Sequence, residues 1–228
     1  MPIQWHAKTT GFYGYQSTEA VENATLIYSA FVKAGWTPEA ACGAIGSFWV
    51  ECGLNPWCWG FNNVPDYADR LDAFAYGLPM WVPAKKYLTD QYLPSYDPTS
   101  SPYFGPNYND VPGKMVRGMP SDGRSQVDFI IKQFEAPTAG NFWNNLKPYT
   151  RAQYIAFTDI ELANYIWTWQ YENPGNNDQS AANRLTYSRY YYNLLKDTIP
   201  VTDPLDGYGQ FPYWLLLAKK AQEQFTKI

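Results

Sequence analysis

The stretch TPEAACGAIGSFWVECGLNPWCW, residues 37–59, constrains the chain most, because it carries signals for both ends of one helix. Thr37 is a favourable N-cap, and Pro38 suits the first helical position, where its missing N–H costs no hydrogen bond. Gly53 stands where a left-handed residue would end the helix. The stretch therefore predicts a helix that carries Glu51 in its last turn.

Glu51 is a candidate general acid at this helix end. The negative end of the helix dipole and the neighbouring rings of Phe48, Trp49 and Trp57 are expected to favour its protonated form. A carboxylic acid that keeps its proton near neutral pH can protonate a glycosidic oxygen. On spacing alone, a solvated glutamate is the more common explanation, so the assignment needs support from the rest of the chain.

Charge and composition exclude several classes of function. The net charge is −4 and no run of Lys or Arg occurs, which argues against a nucleic-acid partner. Aromatic residues make up 18 % of the chain, so some rings are expected to line an open surface on which sugars stack. Neither a membrane span nor a signal peptide is visible. His6 is expected to be structural, and no metal or cofactor is expected.

The three cysteines, Cys42, Cys52 and Cys58, do not have the spacing of a zinc site. They are expected to be reduced and buried, as in a chain made in a reducing cytosol. A Cys52–Cys58 bridge is the alternative if the protein works outside the cell.

Helical periodicity continues along the chain, and alternating β-branched residues are scarce, so the fold class is expected to be mostly α. Gly43 and Gly46 lie inside the helix that is predicted to carry Glu51. Because glycine weakens a helix, two glycines in one helix indicate close contact with a neighbouring backbone. Further helices are predicted from Ser17 or Thr18 to about Ala34, near Pro83, over 126–134, from a Thr158–Glu161 capping box, and over 179–196.

Three parts are expected: an N-terminal arm (1–16), one domain (17–199), and a C-terminal linker with an amphipathic tail (200–228). Within the domain, residues 94–125 contain six prolines and show no helical or strand period. A segment of this length without regular structure is typical of a functional loop or an insertion. The loop and the tail are candidate surfaces for a partner.

Residues 17–56 resemble the opening of the bacteriophage tail lysozyme family. There, a helix ending in Gly-Trp-Thr precedes a helix of small residues that ends in the catalytic glutamate and Asn-Pro. Two more segments match in the same order: 76–87 resembles the family's Gly-Leu-x-Gln-Trp-x-Pro-Ala segment, and 171–174 its Tyr-Glu-x-Pro. The resemblance covers 17–196 and implies a lysozyme-like helical domain related to goose-type lysozymes and soluble lytic transglycosylases.

The resemblance implies peptidoglycan as the substrate and Glu51 as the acid that cleaves between N-acetylmuramic acid and N-acetylglucosamine. A hydrolase needs a second carboxylate. Asp66 and Asp72 are equal candidates, with Asp69 beside them, and turn capping is the alternative for all three. Without a second carboxylate, the muramic 6-hydroxyl would attack instead, as in a lytic transglycosylase.

Tyr76, Met80, Trp81 and Tyr171 are predicted to contact the sugar, with core packing as the alternative for the aromatic ones. Met80 stands where the family has Gln, which would change substrate choice or weaken the enzyme. Glu172 either assists this site or only ends a helix.

The resemblance also implies a protein of the phage tail, carried in the virion, that opens the cell wall during infection. Its partners there would be other tail proteins, contacted through 94–125 and 200–228. A non-catalytic wall-binding module and a purely structural tail component are the alternatives.

Overall fold

The computed structural model describes residues 3–8, 11–56, 58, 60, 75–84, 121–135 and 143–202. Over these ranges the chain is helical, with an isolated antiparallel bridge between Tyr76 and Trp81 and no strand, which confirms the mostly α fold class. None of the helices found in these ranges is long and apolar enough to cross a membrane. The elements are α1 (Thr18–Lys33), α2 (Pro38–Cys52), α3 (Ser121–Glu135), α4 (Arg151–Tyr154), α5 (Ile160–Trp167), a π-helical turn (Thr168–Glu172) and α6 (Asn177–Leu195).

Helix α2 begins and ends as its sequence predicts. The Thr37 hydroxyl accepts a hydrogen bond from the Ala40 N–H at 3.2 Å, and Pro38 occupies the first turn. Gly53 adopts φ 61° and donates its N–H to the Trp49 carbonyl at 2.7 Å. These caps satisfy backbone groups at both ends, so they fix Glu51 in the last turn.

Two predicted helix starts are wrong. Helix α3 begins at Ser121 rather than at 126, so it takes the last residues of the predicted 94–125 loop. Helix α5 is capped by Asp159, whose carboxylate accepts from the Glu161 and Leu162 N–H groups. Asp is at least as good an N-cap as Thr, so it displaces the predicted Thr158 box. The remaining residues of that loop, the helix predicted near Pro83 and most of the tail lie outside the described residues.

Helix α2 is the central element, because α1, α5 and α6 all pack against it. A Cβ on Gly43 would lie 2.9 Å from the Ala163 carbonyl carbon of α5. A Cβ on Gly46 would lie 2.1 Å from Ser188 Oγ and 2.4 Å from its backbone nitrogen on α6. The predicted close backbone contact is therefore confirmed on two sides of α2.

Aromatic rings form much of the core. Trp36 stacks on Phe31 with centroids 4.2 Å apart, and Trp167 stacks on Tyr171 at the same spacing. Phe134 lies parallel to Trp167 at 5.9 Å. A large share of the aromatic residues is thus used in packing rather than on an open surface.

The N-terminal arm is bonded to α1, and the three cysteines are buried. The Asn23 amide donates to the carbonyls of His6 and Leu54 at 2.8 and 2.9 Å, which attaches the arm to α1. His6 Nε2 lies 2.7 Å from the Glu22 carboxylate, in keeping with the structural role predicted for it. The three cysteines are buried as predicted, and burial raises the pKa of each thiol, to about 11 for Cys58.

Replacing Gly46 with alanine is expected to lower the free energy of unfolding by about 1–3 kcal/mol, because the new Cβ collides with Ser188. Urea unfolding at neutral pH measures the change. Gly14→Ala is the matched control, since a Cβ there meets nothing within 4 Å. Equal stability of the two variants would contradict the close contact between α2 and α6.

Candidate active site

Glu51 and Arg184 form an ion pair between the last turn of α2 and the middle of α6. The Arg184 side chain is only 4 % exposed, whereas that of Glu51 is 23 % exposed. The guanidinium therefore holds Glu51 from inside the protein, while part of the glutamate stays within reach of a substrate.

A hydrogen-bonded network continues inward from this pair. Arg184 Nε donates to the Ser47 hydroxyl at 2.9 Å, and this hydroxyl donates to Glu172 Oε1 at 3.1 Å. The Trp167 indole N–H donates to the same Glu172 oxygen at 2.8 Å. We call the five side chains Trp167, Glu172, Ser47, Arg184 and Glu51 the carboxyl network.

The helices explain how these five side chains meet. Ser47 precedes Glu51 by four residues, which puts both on the same face of α2. The π-helical turn contains one extra residue per turn, and Asn173 closes it by donating its N–H to the Thr168 carbonyl at 2.8 Å. Glu172, the last residue of that turn, thereby comes within hydrogen-bond distance of Trp167, five residues earlier.

Glu172 lies at the inner end of this network. Although part of the residue reaches the surface, its carboxyl group is enclosed by protein. Burial, with a smaller contribution from the negative charge of Glu51, raises the pKa of Glu172 to about 8. The charge of Arg184 and the two donated hydrogen bonds oppose this rise. At neutral pH the site therefore contains a protonated Glu172 behind a Glu51 that is paired with Arg184.

The segment that follows α2 is joined to α3 by a buried glutamine. The Gln126 amide donates to the Pro56 carbonyl at 2.6 Å, and its oxygen accepts from the Leu78 N–H at 2.7 Å. Leu78 belongs to a turn over residues 76–81, which Tyr76 and Trp81 close through two backbone hydrogen bonds of 3.2 and 2.9 Å. This turn is therefore tied to the end of the helix that carries Glu51.

The rings predicted to line a sugar groove are buried. Tyr76 and Trp81 belong to the core, and the Tyr171 hydroxyl donates to Gln133 at 2.8 Å and accepts from the Trp81 indole at 3.3 Å. The expectation that these three rings face an open groove is not met, because packing against α3 and α5 covers them. Met80 is partly exposed and adopts φ 50°.

The candidates for a second carboxylate, Asp66 and Asp72, lie outside the described residues, as does Asp69. Their role at the site stays a prediction. The sequence reasoning also left out Ser47 and Arg184. Ser47 carried a usable signal, since it lies one helical turn before Glu51. No local pattern marks Arg184, which is 133 residues away from its partner in the chain.

Partly exposed aromatic rings do occur on α2 and α6, the two helices that carry the ion pair. Trp49 of α2 stacks on Tyr187 of α6 with centroids 3.8 Å apart and an interplanar angle of 30°. Tyr15 meets both rings edge-on, at 5.9 and 5.7 Å. We call Tyr15, Trp49 and Tyr187 the aromatic cluster. Tyr187 is one helical turn from Arg184, so α2 and α6 carry both the cluster and the ion pair of the carboxyl network.

Comparison with known proteins identifies a family and a relative of this chain. A family model described as phage tail lysozyme matches residues 22–195, a range that includes every member of the carboxyl network. "Morphogenesis protein 1" of Bacillus phage B103 is 28 % identical over 180 residues. This match covers 78 % of the chain and 40 % of the relative, so the chain spans about two fifths of that protein's length.

Replacing Arg184 with methionine is expected to lower the free energy of unfolding by about 3–5 kcal/mol, because it leaves buried carboxyl groups without their cation. Arg189→Met is the matched control, since Arg189 lies on the same helix and pairs with Glu161 but is 52 % exposed. The control is expected to change stability by no more than about 0.5 kcal/mol. Urea unfolding compares the two, and equal losses would contradict a buried ion pair at the site.

Proposed function

Because the chain belongs to the phage tail lysozyme family, we propose that it cleaves the glycan strands of peptidoglycan with Glu51 as the catalytic acid. The bond attacked is the β-1,4 bond between N-acetylmuramic acid and N-acetylglucosamine. One observation carries this proposal: Glu51 combines a partly exposed carboxyl group with a buried support made of Arg184 and Ser47. A group held rigidly from behind and open in front suits acid catalysis on a bound polymer.

Glu51 would give a proton to the bridging oxygen as positive charge develops on the muramic C1 atom. Two completions of the reaction are compatible with this step. In a hydrolase, a second carboxylate activates water, and Asp66 and Asp72 remain the candidates for it. In a lytic transglycosylase, Glu51 alone takes the proton of the muramic 6-hydroxyl, which then closes an anhydro ring.

The aromatic cluster would supply the surface on which sugar rings stack. Trp49 and Tyr187 lie on the two helices that carry Glu51 and Arg184, are partly exposed, and already stack on each other. They replace Tyr76, Trp81 and Tyr171, whose rings are buried, as the proposed aromatic contacts. Met80 keeps its proposed contact with the sugar, because part of its side chain is exposed.

The place of action follows from the same family. A phage tail lysozyme would be carried in the virion and would open the cell wall when the tail penetrates it. The relative from Bacillus phage B103 is named for morphogenesis, which fits a component of the assembled particle. Contacts with other tail proteins through 94–125 and 200–228 belong to this proposal.

The Glu51→Gln variant is expected to release no glycan fragments from purified peptidoglycan, because an amide cannot donate the required proton. Mass spectrometry of the soluble products measures cleavage and also identifies its type. Reducing muramic ends would indicate a hydrolase, and anhydro-muramic ends a lytic transglycosylase.

Glu161→Gln is the control for this experiment, since Glu161 is 60 % exposed and pairs with the exposed Arg189 rather than with Arg184. It is expected to retain full cleavage. Intact strands after treatment with the unmutated chain, across several wall chemotypes, would reject the enzyme and leave a wall-binding module. Unchanged cleavage by Glu51→Gln would reject Glu51 as the acid.

Replacing Trp49 with alanine is expected to raise KM for soluble glycan fragments about 5–10-fold, equivalent to about 1 kcal/mol of lost stacking, with little change in kcat. Tyr187→Ala is expected to act in the same direction. Tyr165→Ala is the control, since Tyr165 is also partly exposed but faces Trp169 and Lys147. Steady-state kinetics distinguishes the variants, and an unchanged KM for Trp49→Ala would reject the aromatic cluster as a sugar contact.

A further inference from the structure

We propose that Glu172 and Glu51 share one proton and one guanidinium, and that Glu172 is the positioning residue that sets the pH range in which Glu51 acts as an acid. This inference rests on the proposed function, because it concerns the protonation of the same catalytic group. Glu172 itself stays behind Ser47 and does not touch the substrate.

The geometry supports a shared cation. Arg184 donates from Nη2 to Glu51, from Nε to Ser47 and from Nη1 to the Ser180 carbonyl at 3.3 Å. All three nitrogens of this buried group are therefore used. Ser47 accepts from Arg184 and donates to Glu172, so one hydroxyl group separates the guanidinium from the second carboxyl.

Charge accounting limits the number of protons in the network. With both carboxyls ionised, the buried group carries one uncompensated negative charge, which is costly in a desolvated site. With one proton bound, it is neutral. Two neutral arrangements exist: the proton lies on Glu172 while Glu51 pairs with Arg184, or it lies on Glu51 while Arg184 compensates Glu172 through Ser47.

The second arrangement gives Glu51 the proton that it must donate. After the proton has moved to the glycosidic oxygen, both carboxyls are ionised. The proton released by the attacking water or by the muramic 6-hydroxyl restores the neutral state. Exchange with solvent can occur at Glu51, because that carboxyl is the exposed one.

The charges that act on Glu172 come from α2 and α6. Glu51 on α2 and Arg184 on α6 are the charged groups that act on Glu172, and Trp167 and Ser47 supply its hydrogen bonds. The phenols of Tyr154 and Tyr171 are also close, but burial raises the pKa of both well above the neutral range. They stay uncharged throughout.

Simple packing does not account for an acid at this position. A glutamine would accept the same two hydrogen bonds, from Trp167 and Ser47, and would never ionise inside the protein. What a glutamate adds is a titratable proton next to Glu51. Glu172→Gln is therefore the variant that removes the proton and keeps the hydrogen-bonded shape.

A pH titration of the Trp167 indole ¹⁵N–¹H resonance tests the shared proton without any need for activity. In the unmutated chain it is expected to shift with a midpoint near 8, the pKa of Glu172. Trp167→Phe identifies the resonance. The titration is expected to disappear in Glu172→Gln, and its persistence there, or its absence in the unmutated chain, would overturn the proposal.

The free energy of unfolding is expected to depend on pH through the same proton. The folded chain keeps a proton on Glu172 that the unfolded chain releases above about 4.5. The contribution of Glu172 to stability is therefore full below that pH, falls between about 4.5 and 8, and is lost above about 8. Glu172→Gln is expected to flatten this part of the profile in urea unfolding. A slope that is unchanged in the variant would count against the proposal.

The pH profile of kcat/KM on glycan fragments tests the catalytic consequence. In Glu172→Gln, protonating Glu51 would leave Arg184 without a carboxylate, so the alkaline limb is expected to move about one pH unit or more to lower pH. KM is expected to change little. Glu172→Asp keeps a titratable acid, so its alkaline limb is expected to lie between those of Glu172→Gln and the unmutated chain.

The two proposals fail differently. If the profile of Glu172→Gln superimposes on that of the unmutated chain, Glu172 does not control Glu51, whatever the stability of the variant. If the unmutated chain cleaves no wall material, the proposed function is rejected. In that case the Trp167 titration still decides whether the two carboxyls share a proton.

Discussion

The site depends on a guanidinium buried between two helices. Arg184 reaches both Ser47 and Glu51 because α6 lies almost in backbone contact with α2, and this contact exists because Gly46 has no side chain. Ser188 fills the space at Gly46, and Arg184 lies one helical turn before Ser188 on the same face of α6. A helix packing requirement and the position of the proposed catalytic acid are thus the same constraint.

Local chemistry explains why some features were predictable from the sequence. The caps of α2 involve neighbours within a few residues, so Thr37 and Gly53 specify the ends of that helix without help from the fold. Gly43 and Gly46 also indicated close contact, because two helix-weakening residues in one helix need a packing reason. The identity of the contacting residue, Ser188, is 142 positions away and could not be read from that stretch.

The electrostatics of the site depended on such distant contacts. The sequence indicated a protonated carboxyl at the end of α2, on the basis of the helix dipole and neighbouring rings. In the structure, enclosure removes the solvent around Glu172 and raises its pKa, and Glu51 meets a cation from α6. Burial is the dominant cause, and burial of Glu172 follows from a π-helical turn that no local pattern announced.

The aromatic residues show the same difference between what the local sequence predicts and what distant contacts decide. Composition predicted that some rings would face an open surface, but it could not say which. Tyr76, Trp81 and Tyr171 fit the resemblance to family motifs, yet all three are buried. The Trp81 indole and the Tyr171 hydroxyl join the turn, the π-helical turn and α3. Trp49 stays partly exposed because its neighbour Phe48 takes the core side of α2. Helix phase explains the difference: Phe48 supports α2 from inside, and Trp49, one position later, keeps part of its ring exposed.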